Sequence, residues 1–480
     1  MNVAPFVSDI KYILPEIILT IAALVILIFS VLIKNKRALA YFSLASLGIT
    51  LLYVSKTPVI TTSLFSGMLV NDSFAAFFKI ISIIIALAVI LISLEYKEIS
   101  PNYRGEFYCF ILLATTAIMF MGAASNLLMI YLGVEFLSLI SYIIAAYWRG
   151  NVKSSESGLK YFLIGTACSI TMLYGISLLY GLTGSLDLEQ INAILYGNTS
   201  QPAAISIIIL TILIGLGFKI AMVPVHFWCP DVYEGAPTPV TAFFSVGPKI
   251  AGFAVLLRFL LTGSIFFYEH WAHLLGILAI ITMVVGNLTA LSQTNIKRLL
   301  AYSSIAHAGY ALIGLVIGTH IGQVSLFVYL LTYTVMNLGA FAVVIAVSNK
   351  IKSDEIKDYA GLSLHSPYLA AALAVFLLSL AGIPPLAGFI GKFYIFSAAI
   401  EEGFITLAIA AVINSVIAAY YYFIVIKTMY LEKPQAKIEI KPAPSLNFAL
   451  IIALILTLAI GIYPQPILDF VIHTSSIFIP

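Results

Sequence analysis

Charge is scarce in this chain. Only 9% of its 480 residues are Asp, Glu, Lys or Arg, against about 25% in soluble domains. A water-soluble surface is thereby excluded. Cysteine is scarce too: Cys109, Cys168 and Cys229 stand far apart and form no CxxC pair, so neither a disulfide framework nor a thiolate metal site is expected, and apolar packing is their expected role. There is no Walker loop, and no GxGxxG follows a strand pattern, so no nucleotide site is read. No haem or iron–sulfur motif is present, and no resident cofactor or metal is expected. A net charge of +3 offers no basic face for nucleic acid.

What remains is 61% hydrophobic, with a mean hydropathy of +1.07, which describes an all-α integral membrane protein. Fourteen runs are long enough to cross a bilayer core. Their approximate cores are 12–33, 38–54, 74–94, 107–123, 126–147, 158–181, 204–224, 240–261, 273–291, 298–318, 322–348, 368–394, 403–430 and 446–464. The first is long enough to span and is read as a retained helix, not a signal peptide.

The distribution of charge supports the count. Connections leaving odd-numbered spans hold Lys34, Lys36, Arg37, Lys97, Arg104, Arg149, Lys153, Lys297, Arg298, Lys350, Lys352, Lys357, Lys433, Lys437 and Lys441, fifteen of the 24 basic residues. The opposite side holds only Lys11 and Lys56. Cytoplasmic loops carry the Lys/Arg excess, so both termini are expected on the outer, periplasmic side of a cell inner (plasma) membrane.

The stretch Gly215 to Gly252 breaks the apolar pattern. It holds Lys219, His226, Asp231, Glu234 and Lys249 among Pro224, Pro230, Pro237 and Pro239. An ammonium at mid-bilayer costs at least about 2.5–3.5 kcal/mol. Proline frees backbone groups that only protein or a wet cavity can satisfy. The stretch therefore reads as an ion-handling site inside a helix bundle. Five spans later Pro384 and Pro385 precede Lys392 in LAGIPPLAGFIGKF. Two interrupted helices at matching positions mark a transporter's working site. A five-span unit is odd-numbered, so spans 4–8 and 9–13 are expected to be inverted repeats, with helices 7 and 12 broken by proline. The chain then divides as 1–104, 105–262, 263–431 and 432–480.

Further polar groups gather in apolar helices. Tyr131, Glu135, Ser138 and Tyr142 share one face of span 5, and Glu135 is expected to meet Lys219. A lysine whose carboxylate partner approaches or withdraws takes up or releases a proton, and several in a row linked by water and imidazole make a proton wire. Lys219 and His226 are seven residues apart and would share a face if the helix ran straight through Pro224. In span 10, Ser303, His307 and Tyr310 line one face, and imidazole suits a relay. Asn287, Asn337 and Asn414 are expected to join helices. Arg258 and Lys427, near span ends, and Lys79, near the start of span 3, are expected to snorkel to the interface. Lys160 opens span 6 and is read equally as a snorkelling or a path residue. The run Lys352, Asp354, Glu355 and Asp358 reads as a solvated face.

The motifs YLGVEFLSLISY (131–142), GFKIAMVPVHFWCPDVYEGAPTPVTAFFSVGPKIAGF (217–253), NIKRLLAYSSIAHAGY (295–310) and GIPPLAGFIGKF (382–393) resemble those of the antiporter-like N subunits of the proton-translocating NADH:quinone oxidoreductase, respiratory complex I. The ILPE opening at 13–16 and NDSFAAFFK at 71–79 are similar as well, so the resemblance runs across nearly the whole chain. It implies fourteen spans with two inverted five-helix repeats. It implies that Glu135 and Lys219 form the pair of a first half-channel, Lys249 is the central relay, Lys392 serves the second half-channel, and Lys160, His226 and His307 are auxiliary path residues. Flavin, iron–sulfur clusters and quinone would lie on partner subunits, which would include M, K and the lateral helix of L. The alternative is a subunit of a cation/proton antiporter, whose Glu and Lys layout is similar.

Overall fold

A computed structural model describes residues 8–59, 63–197, 202–434 and 439–475; Lys437 lies outside them. Among the described residues, thirteen helices are long and apolar enough to cross a membrane. In order, spans 1 to 6 are Leu14–Leu32, Lys36–Lys56, Ser73–Ser93, Arg104–Ala123, Leu127–Ala145 and Val152–Thr183. Spans 7 to 11 are Pro202–Ile220, Thr238–Leu257, Tyr268–Ala290, Ile296–Ile317 and His320–Ile351, and spans 13 and 14 are Ile405–Leu431 and Pro444–Ile462. Span 12 is split into Pro367–Ala381 and Ala387–Glu401. Each half is about 22 Å long, too short for a bilayer core of about 30 Å. Together they make the fourteenth crossing.

Local chemistry sets the ends. Asp72 caps span 3 by accepting from the Ala75 N–H at 2.7 Å, and Asn151 caps span 6 through Ser154 at 3.1 Å. Asn295 caps span 10 through Lys297 and Arg298. Gly318 closes span 10 at φ +69°, the left-handed turn that glycine adopts without steric cost.

Two broken spans carry the expected prolines. Span 7 stops at Ile220, and the chain turns through Pro224 before the short helix Trp228–Gly235. Span 12 breaks between Gly382 and Leu386, around Pro384 and Pro385. Outside the crossings lie an antiparallel hairpin, Ser63–Leu64 with Leu69–Val70, and the helices Leu188–Gly197 and Gln465–Ser475.

Contacts between connections sort the two faces. Arg37 pairs with Glu95, Lys153 and Arg298 both reach Glu234, and Ile296 N–H donates to the Asp354 carbonyl. Connections leaving odd spans thus gather on one face. On the other, the Tyr53 hydroxyl meets the Lys11 carbonyl, Ser125 bonds to Gly67, and Thr319 to Glu402. The C-terminal helix comes to this second face as well, with Phe470 against Phe77 at 5.9 Å.

The core lies off the molecular rim. All of the most apolar 18-residue stretch of span 8 is buried, 94% of that of span 10 and 89% of that of span 11, against 22% in span 14. A polar side chain on spans 8, 10 or 11 therefore finds a protein partner or none.

Two cations expected at the interface are instead buried. Arg258 follows span 8 in a π-helical turn and forms a bidentate pair with Asp72, at 2.6 and 2.7 Å, with a further bond to the Gly122 carbonyl. Lys79 pairs with Glu16 at 2.9 Å, both side chains being almost completely covered. In each case a carboxylate from a distant part of the chain meets the cation inside the bundle, so snorkelling has no advantage. Lys427 is exposed, as expected. The run after span 11 is less solvated than its composition implies: Asp354 lies 3.5 Å from Lys297, which is buried.

Candidate proton-transfer row

Three lysines lie buried at the centre, each at most 3% exposed: Lys219, Lys249 and Lys392. None forms an ion pair among the described residues. Each ammonium is held instead by neutral oxygens.

Lys219 closes the last turn of span 7, where carbonyls lack helical partners and favour a cation. Its Nζ donates to Ser138 Oγ at 2.6 Å. Ser138 stands one turn from Glu135 on span 5. The expected direct Glu135–Lys219 pair is not formed; Glu135 accepts from Ser169 Oγ instead. Ser138 Oγ donates in turn to the Val134 carbonyl of its own helix, at 2.6 Å.

Lys249 stands on span 8 directly after Pro248. Its Nζ donates to the Ser304 carbonyl of span 10 at 2.5 Å. Gly252, one turn further along span 8, lets that helix pack against the end of span 7. A Cβ on Gly252 would stand 2.6 Å from Ile220 and 3.2 Å from the Cβ of Lys219, so the two backbones touch only because that side chain is missing.

His307 follows on span 10. Its Nδ1 lies 2.6 Å from the Tyr329 hydroxyl, and its Nε2 lies 3.4 Å from the Tyr422 hydroxyl. Tyr422 is in turn 2.5 Å from Ser303 Oγ. The imidazole thus joins span 10 to spans 11 and 13. Tyr310, the third member of the expected face, accepts from Asn287, which also reaches Asn414 and Tyr421. Asn287 and Asn414 join helices as expected, and Asn337 bonds to Tyr333 within its own span.

Lys392 sits in the second half of span 12. Its Nζ donates to Ser415 Oγ at 2.8 Å and to the Ala381 carbonyl at 2.9 Å, and it stands over the Tyr310 ring. Ala381 is the last residue of the first half-helix, so the break supplies the acceptor that a continuous helix would have used. The row therefore runs Glu135, Ser138, Lys219, Lys249, Ser304, His307, Tyr310, Lys392.

Two expected members lie elsewhere. His226 is buried in the turn after span 7, its ring 4.5 Å from Phe227 and its Nδ1 without a hydrogen-bond partner among the described residues. Lys160 is near the odd-connection face, paired with Asp231 at 2.6 Å and Glu156 at 2.7 Å, with 41% of its side chain exposed. Arg298 and Lys153 complete that cluster around a cleft of about 150 Å³.

Chemically, the row is a set of groups that each take or give one proton, separated by hydroxyls and a tyrosine-flanked imidazole. Ser138, Ser304, Tyr329, Tyr422 and Ser415 were not identifiable as members from the sequence. A serine or tyrosine in an apolar helix is too common to signal anything until its neighbour across the bundle is known.

The chain is similar to proteins already known. Residues 124–418 match the family described as NADH:quinone oxidoreductase/Mrp antiporter, TM. The NADH-quinone oxidoreductase subunit N of Trichlorobacter lovleyi is 44% identical over 479 residues, covering 98% of each chain. Among solved structures, a chain of respiratory complex I from Thermus thermophilus with bound aureothin superposes with a TM-score of 0.80 at 32% identity, over 95% of this chain and 98% of that one. A chain of the membrane-bound sulfane sulfur reductase, an archaeal respiratory membrane complex, gives 0.87 at 25% identity, over 97% of each.

Proposed function

The chain belongs to the transmembrane family of NADH:quinone oxidoreductases and Mrp antiporters, and from that premise we propose that it is the N subunit of a proton-translocating NADH:quinone oxidoreductase and moves protons along the lysine–histidine row. The observation that carries this reading is the row itself: three buried lysines and an imidazole, held by neutral oxygens in the most enclosed helices. A static structural pair has no use for ammonium groups lacking carboxylates, because an uncompensated buried charge is costly. A relay does, because each group must exist with and without its proton.

In this reading a proton reaches Lys219 when Glu135 and Ser138 favour its charged form. It passes to Lys249 across the Gly252 contact, and His307 carries it on to Lys392. Repeats at 105–262 and 263–431 each contribute one broken span. Lys160 belongs to the charged cluster at the surface, and His226 to the turn that ends span 7. The odd-connection face is cytoplasmic, both termini lie outside, and the membrane is the cell inner membrane. Quinone reduction on partner subunits, with their flavin and iron–sulfur clusters, supplies the energy. Subunits M and K and the lateral helix of L are the expected neighbours.

The test is Lys249→Met in the assembled complex. Breaking a proton relay slows transfer by about 10²–10⁴-fold, so the variant should translocate fewer protons per NADH oxidised while quinone reduction survives in uncoupled membranes. Wild-type pumping from a fully assembled Lys249→Met complex would reduce the chain to a scaffold. Sodium or potassium exchange for protons by the purified chain in liposomes would favour the antiporter reading.

A further inference from the structure

Span 8 carries a second polar face. Thr238, Thr241, Ser245 and Lys249 stand at i, i+3, i+7 and i+11, on one side of the helix. Each is at most 3% exposed. Thr241 Oγ donates to the Tyr233 carbonyl at 2.9 Å and Ser245 Oγ to the Ala242 carbonyl at 2.7 Å. The Tyr233 hydroxyl lies 3.4 Å from Ser304 Oγ, on the residue whose carbonyl holds Lys249.

The Thr238 end of this face meets a carboxyl group. The Tyr96 hydroxyl is buried and 3.2 Å from Thr238 Oγ, a contact in which either oxygen can donate. It also accepts from the Thr238 N–H at 3.2 Å and is hydrogen-bonded to Glu98. Glu98 is half-buried in the connection after span 3, on the face with the Lys/Arg-rich connections. Facing it are Tyr96 from its own connection, Lys297 from span 10, and Lys352 and Asp354 from the connection after span 11. Burial pushes the Glu98 carboxyl above its ordinary range, against the pull of Tyr96 and Lys297. It therefore keeps a proton at a higher pH than a free glutamate does.

Serine and threonine bonded back to carbonyls of the preceding turn are common in helices, and scattered instances carry no message. Here they occupy one face of the most enclosed helix, begin at a carboxyl that reaches solvent, and end at a lysine of the row. We propose that Glu98 collects protons at this face and delivers them through Tyr96, Thr238, Thr241 and Ser245 to Lys249. The inference rests on the reading of Lys249 as a relay. Glu98 gives its proton to the Tyr96 oxygen as Tyr96 gives its own to Thr238. The hydroxyls repeat the exchange, and the Lys249 amine becomes an ammonium. Glu98 is left as a carboxylate and regains a proton from water, while each hydroxyl ends as it began. Side chains one helical turn apart are separated by about 5–6 Å between Cβ atoms, a gap that one bridging water closes.

The experiment uses membranes holding the assembled complex with Glu98→Gln, Glu98→Asp, Tyr96→Phe, Thr241→Val or Lys249→Met. NADH oxidation and protons translocated per NADH are measured from pH 6 to pH 8.5. Glu98→Gln and Tyr96→Phe should pump like wild type at pH 6, where protons are plentiful, and fall to the Lys249→Met level by pH 8. Glu98→Asp should restore most of the loss. Thr241→Val changes no charge and tests the same line if Glu98→Gln fails to assemble. Wild-type pumping by Glu98→Gln or Thr241→Val at pH 8, with Lys249→Met impaired, overturns the line and leaves the relay standing. An equal loss at every pH marks a structural role and also overturns it. Normal pumping by Lys249→Met removes both the relay and the line that feeds it.

Discussion

Replacing Arg258 by methionine strands the Asp72 carboxylate inside the bundle. Both side chains are almost completely covered, at 6% and 2% exposed. Removing one partner of such a pair costs about 3–5 kcal/mol, because the remaining charge is left uncompensated. Asp72 keeps its bond to the Ala75 N–H, which places Arg258→Met at the lower end, about 3 kcal/mol. Asp72→Ala loses the pair and also the cap of span 3, worth about 1 kcal/mol more, so about 4–6 kcal/mol is expected. The double variant Asp72→Leu with Arg258→Met should be milder than Arg258→Met alone, since apolar packing that replaces a whole buried pair is often neutral. The assay is unfolding of the detergent-solubilised chain by SDS titration, followed by loss of helical circular dichroism. Two single variants within about 1 kcal/mol of wild type would refute the reasoning, for that is what solvated, snorkelling charges would give.

The other predictions concern the row and its surroundings. Gly382 has φ +91°, and a Cβ there would stand 2.8 Å from Cδ of Lys392. Gly382→Ala should therefore cost about 1–2 kcal/mol of backbone strain and displace Lys392 from the Ala381 carbonyl, seen as fewer protons translocated per NADH with helix content retained. Lys160→Ala removes partly exposed ion pairs, each worth about 0–1 kcal/mol; melting temperature and pumping should stay near wild type, and a loss matching Lys249→Met would move Lys160 into the row. The Lys249→Met and Glu98→Gln experiments above complete the set.

Much of the fold was legible because a bilayer makes strong local demands. Each crossing needs about 20 apolar residues, and the expected cores at 298–318 and 322–348 became Ile296–Ile317 and His320–Ile351. The prolines at 224, 384 and 385 marked both broken spans, because proline removes a helical donor wherever it stands. The helices Leu188–Gly197 and Gln465–Ser475 were missed because each is short and its apolar residues are interleaved with polar ones. The buried lysines were legible because an ammonium in hydrocarbon is rare enough to be a signal by itself. The serines that hold them, Ser138 and Ser415 by the hydroxyl and Ser304 by its carbonyl, were not, because serine is a cheap guest in any apolar helix.

By itself the sequence determined how often the chain crosses the membrane, which connections share a face, and which residues introduce charge into the bundle. These follow from side-chain solvation and local backbone chemistry, which neighbours in sequence decide. Only the tertiary structure decided what each charge meets. Arg258 stands near a span end and finds Asp72, 186 residues away. Lys219 turns to Ser138 while Glu135 takes Ser169. Thr238, Thr241 and Ser245 become a line only where Tyr96 and Glu98 come down upon them. Partner choice is a property of how helices pack, and packing brings together residues whose separation along the chain carries no trace of their contact.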